Sequence, residues 1–76
     1  MMDDFDERYT NIGLKIAYYR KKAGMTQEQL AERVEISPGY LSQVETPSFI
    51  QPISLKLLFK IADTLEIPPF KFLLDD

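Results

Sequence analysis

The sequence predicts an all-α domain, a compact arrangement of five helical segments with no strand. Two observations carry that expectation. Apolar residues recur at three- and four-residue spacings along the chain, and alternation at period 2 is absent. The apolar stripes are also bracketed by residues that start or stop helices, with Ser, Thr or Pro ahead of them and Gly or Pro behind.

In the first segment Ile12, Ile16, Tyr19 and Ala23 fall on one stripe. Thr10 or Asn11 is placed to cap its start, and Gly24 to end it in the left-handed conformation that glycine accepts. Thr26-Gln27-Glu28-Gln29 reads as a capping box, so a second helix runs from about Gln27 to Val34 and buries Leu30, Ala31 and Val34. Ser37-Pro38 opens a third, because Ser caps well and Pro at the first helical position has no amide to satisfy. Leu41 and Val44 are its inner stripe, and Pro47 stops it near Thr46. Residues Pro47 to Ile53 read as a loop. Ser54 caps a fourth helix with Leu55, Leu58, Ile61, Ala62 and Leu65 inward. Pro68-Pro69 begins a short fifth, carrying Phe70, Phe72, Leu73 and Leu74.

Composition narrows the function. Seventy-six residues make one small domain, which buries only about 60% of the surface its unfolded chain exposes. There is no Cys and no His, so disulfides, conventional zinc sites and His-based catalysis lack their central residue. The chain therefore reads as non-enzymatic, with no metal or cofactor. The longest uncharged stretch, Thr46 to Leu55, holds two prolines and is no membrane helix. The opening MMDDFDER lacks the apolar run of a signal peptide, so a cytoplasmic location is expected.

The net charge of −3 conceals a division. Asp3, Asp4, Asp6 and Glu7 precede all nine basic residues, and Asp75 and Asp76 follow them. The chain divides on this reading into an acidic tail over 1–9 and a domain over 10–76. Between the acidic ends, the nine Lys and Arg outnumber six acids. A mildly basic body suits a polyanionic partner.

The informative stretch is QEQLAERVEISPGYLSQVE, residues 27–45. Two short helices are joined by Glu35-Ile36-Ser37, with small Ala31 where they must approach closely. This is the pattern of a helix-turn-helix, here spanning about 26–46, whose second helix is presented to the DNA major groove. Together with IGLKIAYYRKKAGMTQEQLAERV before it and LFKIADTLEIPPFKFLL after it, the stretch resembles the lambda-repressor-like family of Cro/CI-type, or XRE, regulators. The resemblance covers about Ile12 to Leu73. It implies a five-helix DNA-binding fold and a sequence-specific regulator of transcription, typically a repressor. It further implies a recognition helix over about 38–46.

Residue roles follow from the resemblance. Positions Pro38, Gly39 and Gln43 are where members touch base edges. Of these only Gln43 has a side-chain amide, suited to adenine N6 and N7, while Gly39 would let backbone approach closely. Tyr40 and Ser42 can reach bases or phosphates, and Thr46 ends the same outward face. The other reading of Tyr40 is a half-buried cover over the turn. Gln27, at a helix N-terminus, is a phosphate contact that also braces the recognition helix, and Ser37 adds a second phosphate contact. Lys21, Lys22, Arg33 and Lys56 are candidate phosphate contacts, or else solvated surface charges. Arg20 and Glu45 stand where members carry a partly buried structural ion pair, the alternative being an exposed pair.

Three features depart from the family pattern. Glu35 stands where the turn usually has Gly, the third helix has no Lys or Arg, and the loop Thr46–Pro52 is slightly long and lacks basic residues. Weak non-specific attraction to DNA follows. The acidic ends and the apolar loop residues Phe49 and Ile50 also fit an alternative, a protein-interaction or antitoxin-type module. Double-stranded DNA with a palindromic operator remains the expected partner. The chain is expected to act as a homodimer, since one recognition helix reads few base pairs. Resemblance turns Phe72 and Leu73 inward and leaves Phe70 and Leu74 outward as a dimer contact. The alternative folds Phe70 back over Leu65 and Ile67 in a monomer.

Overall fold

A computed structural model describes residues 4–49 and 51–74. Four α-helices follow in order: α1 (Asp4–Lys22), α2 (Gln27–Val34), α3 (Pro38–Glu45) and α4 (Leu55–Leu65). A 3-10 turn over Pro69–Phe72 comes last. The fold is thus all-helical among the described residues, with four α-helices rather than five. Met1, Met2, Asp3, Ile50, Asp75 and Asp76 lie outside the described residues.

Local signals set three of the helix starts. Thr26 accepts from the Gln29 amide and the Gln29 side chain accepts from the Thr26 amide, so the capping box is closed at both ends. Ser37 and Ser54 cap α3 and α4 by accepting from the Tyr40 and Leu57 amides. Gly24 takes a φ of 75° after α1, the left-handed geometry expected of it. The turn from α2 to α3 needs the same geometry at Glu35, whose φ is 64°. There the Glu35 and Ile36 amides both donate to the Ala31 carbonyl and close the end of α2. Glu66 closes α4 in the same way at a φ of 58°.

α3 packs on α1 and α2, α2 packs on α4, and the 3-10 turn packs on α1 and α4. The core draws Ile12 and Ile16 from α1, then Leu30, Ala31 and Val34 from α2. It is completed by Leu41 and Val44, by Leu58, Ile61, Ala62 and Leu65, and by Phe72. Phe72 is fully buried, with its ring edge-on to Tyr19 at 5.3 Å. Burial of that ring is worth about 1.5–3 kcal/mol. Gly13 permits a close approach of α1 to α3: a Cβ built there would collide with the Val44 carbonyl oxygen.

Five expectations about the elements are corrected. Thr10 and Asn11 do not cap α1 but lie inside it, and the segment 1–9 is helical from Asp4 onward. The stripe continues backwards through Tyr9, which packs against the core, and the acids Asp6 and Glu7 in the first turn favour the positive end of the helix dipole. Ala23 is exposed because α1 ends one residue before it. Leu55 is 63% exposed, since the first turn of α4 projects beyond the core. Leu73 is 54% exposed and not inward. With about three residues per turn, a 3-10 geometry that points Phe72 inward rotates the next residue away.

Two substitutions test these backbone features. Glu35→Gly should stabilise the domain by about 1 kcal/mol, the left-handed cost of an L side chain less the greater chain entropy of glycine. A lower urea midpoint for that variant would contradict the strain. Gly13→Ala, which in an open helix would gain about 1 kcal/mol, should here lose about 1–3 kcal/mol by overpacking α1 on α3. Urea melts give the sign directly.

Candidate nucleic-acid interface

The site is built around α3, and α3 is held by a buried ion pair. Arg20, at the end of α1, meets Glu45, at the end of α3, in a two-pronged contact. Nε donates to Oε2 at 2.8 Å and Nη2 donates to Oε1 at 2.9 Å. The two side chains are 8% and 4% exposed, which places this pair in the interior. Arg20 Nη1 also donates to the Met25 carbonyl at 2.8 Å, and Gln27 Nε2 donates to Glu45 Oε1 at 2.9 Å. One carboxylate is thereby joined to the end of α1 and the start of α2, while the same guanidinium holds the turn between them. Shared hydrogen bonds of this kind are what make a buried charge tolerable.

The outward side of α3 is polar and uncharged. Pro38, Gly39 and Gln43 are exposed, and Ser42 is half-buried. Glu45 is the one charged residue of α3 and it is turned inward, so no carboxylate lies on the exposed face. A Cβ at Gly39 would meet nothing, so the fold does not need glycine there. Tyr40 is half-buried against the core, which fits its reading as a cover over the turn. Thr46 is half-buried and donates its hydroxyl to the Ser42 carbonyl at 2.7 Å, closing the end of α3. Ser37 uses its oxygen to cap the helix and keeps its hydroxyl proton available.

The basic residues are dispersed. Lys21 and Lys22 are exposed at the end of α1, and Lys22 Nζ sits 5.7 Å from the centre of the Tyr18 ring. Lys56 lines a hollow beside the α2–α3 turn with Glu35, Ile36 and Ser54. Arg33 instead lines a hollow with Gln29, Glu32, Thr64 and Glu66, to which α3 contributes nothing. Lys60 pairs with Glu35 at 3.3 Å in the open. At the far end of α1, Phe5, Tyr9, Phe72, Leu73 and Leu74 line a hollow of about 370 Å³, with Phe70 57% and Leu74 46% exposed.

Two features of the site escape the sequence reading. Gly13 fixes the distance between α1 and α3, and a glycine inside an apolar-periodic helix was the available signal. Gln51 donates to Gln43 Oε1 at 2.9 Å across the loop after α3. No spacing rule finds a contact made by an irregular loop. Among the described residues no group of acids could hold a metal, and no helix is long and apolar enough to cross a membrane.

The architecture and the α2–α3 unit define a helix-turn-helix protein. The helix-turn-helix family profile matches residues 16–72, so the chain belongs to that family, in its XRE, lambda-repressor-like form. It is similar to the HTH-type transcriptional regulator RamB of Mycobacterium tuberculosis, at 31% identity over 58 residues. The match takes 76% of this chain but only 12% of that relative's length. It is also similar to the clp gene regulator ClgR of Corynebacterium glutamicum, with a TM-score of 0.79 and 29% identity over 86% of this chain and 67% of that one. A third likeness is to SinR, a master regulator for biofilm formation solved in complex with DNA. There the TM-score is 0.74 and the identity 32%, over 83% of this chain and 98% of that one.

The ion pair can be tested on stability alone. Arg20→Ala leaves Glu45 buried without its partner and should cost about 3–5 kcal/mol. A loss under about 1 kcal/mol in a chemical melt would place the pair in solvent.

Proposed function

We propose that this chain binds double-stranded DNA sequence-specifically and regulates transcription, laying residues 38–46 of the α3 region in the major groove. The observation that carries the reading is the exposed face of α3, which offers an amide, a hydroxyl and a bare glycine backbone while its one acid is neutralised inside. Gln43 is the base reader, through its paired donor and acceptor. Gly39 lets backbone approach a base edge or phosphate, which explains a glycine that packing does not require. Ser37 donates its free hydroxyl to phosphate, and the N-terminus of α2 at Gln27 adds amides there. Ser42 and Thr46 border the contact, Tyr40 lies at its edge, and Lys21, Lys22 and Lys56 supply what long-range attraction there is. Arg33, among Glu32 and Glu66, is the weakest of the phosphate candidates.

The reading extends to a homodimer on a palindromic operator, with half-sites about 34 Å apart. Leu73 and Leu74, exposed along the hollow at the end of α1, and Phe70, exposed in the 3-10 turn that precedes them, support a contact there, since exposed apolar groups in one short segment mark interaction surfaces. A second reading, a protein-binding module, is favoured by Phe49, which is 50% exposed in the loop after α3. A salt-dependent gel shift on a random DNA library separates the two. Binding that weakens with salt supports the DNA reading, and no shift at any salt selects the other.

Two outcomes are expected once a site has been selected from random DNA. Gln43→Ala should lose about 1–3 kcal/mol on the selected site and much less on random sequence. Equal losses would remove Gln43 as a reader. Sedimentation at micromolar concentration should find a dimer that Phe70→Glu dissociates. A monomeric wild type, or a dimeric variant, would eliminate the proposed interface.

A further inference from the structure

Gln51 is placed to act on Gln43 rather than on the fold. Thr46 ends α3, and the Phe49 amide donates to the Thr46 carbonyl at 3.0 Å, bending the loop. At Gln51 the side chain then donates Nε2–H to Gln43 Oε1 at 2.9 Å. Pro52 follows, and the residue before a proline is confined to extended backbone, which limits where the Gln51 side chain can start. Gln43 itself is exposed, so this bond adds little to the core.

The bond changes what Gln43 presents. A free glutamine amide rotates about its last torsion and offers donor and acceptor in either order. With Gln51 donating, Oε1 is fixed toward the loop and the NH2 group points the other way. One lone pair on Oε1 and both N–H groups stay available, in a single order. That order matters for adenine, which pairs an N6 donor with an N7 acceptor. Part of the rotamer freedom of a long side chain is also removed before any base arrives. We propose that Gln51 is a positioning residue that sets the sequence preference of Gln43. This rests on the reading of α3 as the base-contacting helix.

The test uses the wild type, Gln43→Ala, Gln51→Ala and the double variant, each on the site selected by the wild type and on random DNA. Gln51→Ala should lower the preference for the selected site roughly three- to tenfold, the order expected when one side chain must be immobilised on binding. Its affinity for random DNA and its melting temperature should hold. In the Gln43→Ala background the same change should do nothing further, because the side chain it orients is gone. In the free protein, three-bond couplings of Gln43 should report one rotamer in the wild type and averaging in Gln51→Ala. Averaged couplings in the wild type would overturn the proposal, as would equal losses in both backgrounds, which would mean Gln51 meets DNA itself. A wild type that selects no site at all would sink the reading of α3, and this proposal with it. A wild type that selects a site, with Gln51→Ala keeping the full preference, would sink the positioning role alone.

Discussion

The bidentate contact between Arg20 and Glu45 is the constraint on which the placement of α3 depends. Two charges withdrawn from water carry a desolvation penalty that their attraction offsets only with good geometry and further hydrogen bonds. Here Glu45 Oε1 accepts from both Arg20 and Gln27, Oε2 accepts from Arg20, and the remaining prong of the guanidinium is taken by the Met25 carbonyl. Such a pair is satisfied in few arrangements of its helices. An apolar contact in its place would tolerate sliding, whereas directional bonds select one register of α3 against α1 and α2.

The same carboxylate has an electrostatic consequence. An acid on a helix that faces a polyanion would repel it, and turning Glu45 inward against a cation removes that field from the surface. What is left on the exposed side of α3 is dipolar and not ionic. Dipoles act over short range and reward correct alignment, while clustered cations attract any phosphate backbone. On the proposed reading of α3, such a surface would favour discrimination between sequences over general adhesion to DNA.

Much of the fold was legible because helix boundaries are written locally. Thr26 with Gln29, Ser37 with Pro38, and Ser54 each satisfy amides within a turn of themselves, so residue type and spacing suffice to find them. Leu55 defeated the reasoning from spacing, because its exposure depends on where the neighbouring elements stop, and Leu73 defeated the resemblance, because a 3-10 turn rotates it away from Phe72. The start of α1 was hidden by its acids, which look like a solvated tail in composition yet suit the first turn of a helix. The contact between Arg20 and Glu45 was legible through family resemblance. The bond from Gln51 was not, since it is made by a loop whose path no periodicity encodes. Glu66, left-handed like Glu35, is a case where the backbone bonds that close a helix end offset the intrinsic cost of an L residue.

The contact at Gly13 has a consequence for the geometry of any two-fold assembly. Backbone lies against backbone there with no side chain between, so α1 and α3 meet at close packing distance. Phe5, beside the apolar hollow, lies eight residues before Gly13 on the same helix, an axial separation of about 12 Å. If two copies join at that hollow, the offset between their α3 helices is set by the length of α1 and by its contact with α3 at Gly13. Adding one base pair between half-sites turns one relative to the other by about 34–36°, given 10–10.5 base pairs per turn. Were α1 and α3 to keep that packing in such a dimer, torsional phase would have to be accommodated by twisting the DNA.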